Sequence, residues 1–242
     1  MFAKETYINR RQALKKSVTG GILLFFGNEE VGMNYADNTY HFRQDSTFLY
    51  FFGLNYAGLA AIIDIDNDRE IIFGNELTID DIVWMGTQPT LKEKAYSVGI
   101  TETLPSSELK KYLDNAAGKG QTIHYLPVYR AEQAVKLSGL IGVPTGAEKP
   151  STAFIKGVVN LRNYKTDEEI VELERACDVT ADMHITAIRT AQVGMKEYEV
   201  AAALEAVAQA NGCFVSFPTI ATVNGQTPVS YTHLTLPTMA VV

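Results

Sequence analysis

The residues whose types could do chemistry are few in this 242-residue chain: one acidic run, four histidines, two cysteines and a single tryptophan. Asp64-Ile65-Asp66-Asn67-Asp68 alternates oxygen donors as a calcium loop does. The pattern fails at Arg69, where such a loop needs glycine, and at Asn75, where it needs a bidentate glutamate. Asp and Asn there suit a β-hairpin turn instead. His41, His124, His184 and His233 each stand alone, without a second histidine at helix or strand spacing. For His124, in a predicted strand, and His184, on a predicted helix stripe, a satisfied structural role is expected rather than a metal role. His41 lies beside Arg43 and Asp45 in a polar loop, where a binding role has more to support it. Trp84 stands between Val83 and Met85. A lone tryptophan is most often partly buried core, and otherwise an interface or pocket wall. Cys177 and Cys213 have neither a disulfide framework nor metal-ligand spacing, and are expected to be reduced thiols of a cytoplasmic protein. No G-x-S-x-G, H-E-x-x-H, Walker or G-x-G-x-x-G motif occurs. After Glu205 there is no Asp, Glu, Lys or Arg up to Val242, so residues 206–242 cannot supply a carboxylate metal centre.

The elements that would position these residues fall into two regions. Residues 4–17 predict a helix with a basic outer face, ended by Gly20-Gly21. Ile22-Leu23-Leu24-Phe25-Phe26 reads as a central strand and is far too short to span a bilayer. Residues 33–45 read as loop. Thr47 to Phe52 predicts a second buried strand, closed by Gly53. Residues 59–64 and 70–73 form a predicted hairpin around 65–69. Short helices are expected at 78–84 and 91–96. A further helix follows a Ser107 cap and presents Leu109, Tyr112 and Leu113 on one side up to Gly118. A strand at 122–126 and a helix at 130–140 complete an α/β domain with a mixed sheet, and 142–150 reads as linker. Beyond it, Thr166-Asp167-Glu168-Glu169 is a capping box that opens a helix to about residue 190. That helix carries Ile170, Leu173, Cys177, Thr180, Ala181 and His184 near one stripe. A second helix spans 196–210. A strand at 214–223 is predicted to run into a turn at Asn224-Gly225. The second region thus predicts an incomplete α+β domain.

Composition excludes some partners. A net charge of −7 argues against nucleic acid and against anionic membranes, both of which favour a basic surface. The first 16 residues carry five basic side chains but no apolar core of a signal peptide.

Several segments carry a resemblance. Asn38 to Leu54 contains Arg43, Asp45, Ser46, Phe48 and Tyr50 running into Phe52-Gly53, and resembles the N-terminal signature of the Xaa-Pro aminopeptidase (aminopeptidase P) family. Trp84-Met85-Gly86 is similar to its Trp-x-Gly segment. Arg162 to Ile170 resembles the opening of its catalytic "pita-bread" domain, and Ser216 to Gln226 that domain's first strand. Met33 to Asp37 fits a bacterial branch. The resemblance implies a creatinase/aminopeptidase-P-type mixed-sheet domain over residues 1–150 and the start of a peptidase domain over 151–227. It implies a cytoplasmic, homo-oligomeric hydrolase that removes an N-terminal residue preceding proline from X-Pro peptides. Two manganese ions, held by two Asp, one His and two Glu, would generate the attacking hydroxide. None of those ligands has a counterpart here, so no catalytic or metal residue is assigned, and the chain alone is expected to be inactive. The family's N-terminal domains also shape oligomers and help wall a neighbour's active site. Trp84 is the substrate-binding residue expected from that. Val229 to Thr238 resembles a translated sequencing adapter, and 228–242 is expected to be an artefactual tail. The competing reading is a non-catalytic assembly or peptide-binding module, or part of a related prolidase or creatinase.

Overall fold

The computed structural model describes residues 1–222. Contacts divide the chain into a unit ending at Tyr164 and a second beginning at Lys165.

The first unit is a three-layer α/β/α arrangement. Its sheet comprises β1 (Ile22–Phe26), β2 (Ala60–Asp64), β3 (Arg69–Phe73), β4 (Glu102–Leu104) and β5 (Ile123–Tyr125) in the order β4-β3-β2-β1-β5. The inner pairs β1–β2 and β2–β3 are antiparallel, and the outer pairs β1–β5 and β3–β4 are parallel. The sheet is therefore mixed, as the sequence predicts. Side chains alternate across a strand, so one five-residue strand feeds two cores. Leu23 and Phe25 face α1 (Lys4–Lys15), α2 (Ser46–Phe52), α4 (Leu91–Ser97) and α7 (Thr152–Asn163). Ile22, Leu24 and Phe26 face α5 (Glu108–Gly118) and α6 (Ala131–Ile141). Burial on both faces explains why β1 is apolar throughout. Phe25 is held edge-on by Phe52 and Phe154, each at 5.0 Å between ring centroids.

Several expectations need correction. Residues 46–52 form helix α2, not a strand. The Asp45 carboxylate accepts hydrogen bonds from the amides of Thr47 and Phe48 at 2.9 and 2.8 Å, which fixes the first turn. Phe48, Phe51 and Phe52 then fall on one buried face, and Gly53 ends the helix at φ 63°. Both sides of β1 are already taken by β2 and β5, so no central place in the sheet is left for this segment. The basic face of α1 also turns inward. Arg11 is fully buried, donating to Glu70 at 2.8 Å and to the carbonyls of Phe51 and Val98. Arg10 donates to the Tyr50 carbonyl and lies 3.9 Å from the centre of its ring. Ser107 precedes α5 but makes no side-chain cap. Helix α7 and strand β4 have no counterpart in the sequence reading.

The hairpin is present, and its acidic turn has a structural use. Asp64, 1% exposed, accepts from the Asn67 amide and side chain, the Tyr112 hydroxyl and the Gln121 side chain. Burial alone would push this carboxyl up. The bonds from Asn67, Tyr112 and Gln121 outweigh burial and hold it below the usual carboxylate range. Burial and the same carboxylate push the Tyr112 phenol up to about 12.

The second unit contains α8 (Asp167–Thr190) and α9 (Glu197–Ala210), packed on each other. The predicted capping box closes as expected, with Thr166 and Glu169 bonding reciprocally. The strand predicted at 214–223 is not formed among the described residues. Phe214, Phe217 and Ile220 are exposed there, and the described part of this unit has no strand for a ladder partner. The Asn224-Gly225 turn lies outside the described residues.

Two outcomes follow for stability. Glu70→Ala leaves the Arg11 guanidinium buried without its carboxylate, and urea unfolding should show a loss of about 3–5 kcal/mol. Asp64 has a lowered folded pKa, so its stabilising share is present above the unfolded value of about 3.9 and is lost as pH falls through the folded one. Asp64→Asn should therefore lower the urea midpoint at pH 7 and leave a smaller further loss at pH 3 than the parent shows.

Candidate functional site

The segment Asn38 to Leu54 is built around Gln44, a side chain 4% exposed. Its Oε1 accepts from the amides of Asn28 and Asp45 at 2.7 and 2.9 Å. Its Nε2 donates to the carbonyls of Leu54 and Tyr56 at 3.0 and 2.8 Å. Asn28 extends the network, donating to the Arg43 carbonyl and accepting from Gln133. Asp45 caps α2, Phe48 enters the core, and the Tyr50 hydroxyl donates to the Leu161 carbonyl at 3.0 Å. The segment is thus an architectural device that ties a loop, two helices and a strand end together. Within it His41 is exposed and borders a small cavity of about 160 Å³ with Tyr40, Arg43 and Arg130.

Trp84 sits on α3 (Ile79–Met85), two turns opened by a Thr78–Asp81 capping box. The core position most common for a lone tryptophan is not the one taken: Trp84 is 88% exposed. Ile79 and Val83 are likewise exposed, and α3 buries no residue. Ile82 and Met85 are exposed as well, so α3 shows an apolar patch of the kind that marks contact surfaces.

The histidines and cysteines do not assemble. Nδ1 of His124 lies 2.8 Å from Ser151 Oγ, the residue that caps α7. Its other ring nitrogen, Nε2, is buried without a hydrogen-bond partner, so the fully satisfied role expected of His124 is not what the structure has. His184 borders a cavity of about 530 Å³ in the second unit, with Met183 and Leu204 on the helices and Phe214 and Phe217 on the following segment. The lining is mostly apolar, the character of a packing surface between helices and a covering element. Cys177 is exposed and Cys213 half-buried, both free thiols. The predicted stripe is rotated: Val179 and Met183 are less exposed than Cys177 and Ala181. His233 lies outside the described residues. Among the described residues no three His, Cys, Asp or Glu side chains converge. The described residues thus bring together no ligand set of the kind a carboxylate-bridged metal pair needs.

The comparisons with known proteins agree with this geometry. Residues 7–124 match the aminopeptidase P N-terminal domain, and residues 171–235 match metallopeptidase family M24. The first unit is thus similar to the aminopeptidase P N-terminal domain, and the second to part of an M24 metallopeptidase. The Xaa-Pro aminopeptidase of Escherichia coli is 26% identical over 209 residues, covering 82% of this chain and 47% of that protein. A probable Xaa-Pro aminopeptidase of Aspergillus niger is 26% identical, over 73% of this chain and 37% of its own length. The human Xaa-Pro dipeptidase is also 26% identical, over 77% and 38%. The chain thus spans less than half the length of these relatives. In fold, it is similar to E. coli aminopeptidase P with the inhibitor Pro-Leu, with a TM-score of 0.72, 24% identity, and coverage of 87% of this chain and 50% of that one. The mixed α/β architecture is that of the aminopeptidase P N-terminal domain followed by part of an M24 domain.

The sequence reading missed the Gln44 clamp, since a buried glutamine looks like any polar loop residue until its four partners are placed. The sequence reading also missed α7, although a signal was there: Ser151 precedes Phe154, Val158 and Leu161 at helical spacing.

Burial differs sharply between the units: α8 buries no residue and α9 buries only Ala208. Limited trypsin digestion should therefore cut after Arg175 or Arg189 before any site in residues 1–164. Earlier cleavage within 1–164, read by mass spectrometry, would contradict this.

Proposed function

We propose that this chain represents the N-terminal domain and opening peptidase segment of a metal-dependent Xaa-Pro aminopeptidase, a hydrolase releasing N-terminal residues that precede proline. The order of the two matched regions carries the reading: an aminopeptidase P N-terminal domain, then an M24 segment. In the whole enzyme two divalent ions, manganese by family preference, would supply the hydroxide nucleophile. The residues present do not hold that pair. The part of this chain in the reaction is to present the peptidase domain and to shape its surroundings. A cytoplasmic, homo-oligomeric enzyme acting on X-Pro peptides is the corresponding biological setting.

The sequence after Glu205 offers no carboxylate, so the 242-residue chain by itself should not hydrolyse X-Pro peptides. Purified chain assayed on an X-Pro dipeptide and a longer X-Pro peptide, with and without manganese, should show no turnover above the metal-free control. Manganese-dependent turnover would overturn this part of the reading. Cleavage of the dipeptide alone would point instead to prolidase, which the equal identity to the human dipeptidase keeps in play.

The exposed α3 favours a second, compatible role in assembly or peptide binding. In this view Trp84 walls a substrate site or joins a subunit interface. In a full-length relative, alanine at the position of Trp84 should raise KM or weaken the oligomer by sedimentation. Both remaining unchanged would remove Trp84 from the proposal.

A further inference from the structure

We draw no further inference here: the strongest candidate, the apolar groove of about 530 Å³ between α8, α9 and the segment carrying Phe214 and Phe217 in the second unit, is an unpartnered face, and nothing in the structure shows what covers it.

Discussion

One carboxamide holds the first unit's most irregular region in place. Gln44 satisfies four backbone groups drawn from Asn28, Asp45, Leu54 and Tyr56, two of the bonds buried and two partly buried. Such groups cannot be left unpaired in a core without large cost. The segment that leaves β1 and returns to β2 has no ladder of its own apart from one isolated bridge, Gly32 to Thr39. Its backbone order therefore depends on a side chain. From that anchor the rest follows in sequence: Asp45 is placed to cap α2, α2 drives three phenylalanines against β1, and Tyr50 reaches α7. The segment that carries the sequence resemblance is thus also one that orders this part of the first unit.

A second constraint comes from charge turned inward. Arg11 and Glu70 join α1 to β3, while the carbonyls of Phe51 and Val98 each accept from one of the two terminal guanidinium nitrogens. Lys15 adds a contact to the same carboxylate at 2.9 Å. Removing one partner is worse than never having had the pair, because the survivor is stranded in a medium that cannot solvate it. The exposed apolar residues of α3, Trp84 among them, lie outside these networks.

The sheet was readable because its strands are short apolar runs bounded by glycine or by Asp and Asn. The hairpin at 60–73, the helices at 4–15, 108–118, 167–190 and 197–210, and the strand at 22–26 all announce themselves by period and caps. The failures share one cause. Thr47 to Phe52 has the composition of a strand, and only the preceding aspartate, read together with the glycine after it, reveals a helix. The inward arginines of α1 look like a solvated face because nothing local marks their partners 40 to 87 residues away. The predicted strand at 214–223 needs a neighbouring strand, and periodicity cannot supply one. At the site, sequence resemblance pointed to Trp84 but not to its exposure.

The central claim is that the signature around residues 38–54 acts as architecture, with Gln44 as its anchor. Its most direct test is equilibrium urea unfolding of Gln44→Leu, followed by far-UV circular dichroism. Leucine matches the volume but leaves two amides and two carbonyls without partners, so a loss of about 3–5 kcal/mol in the first unit's transition is the expected result. An unchanged midpoint and slope would contradict the account.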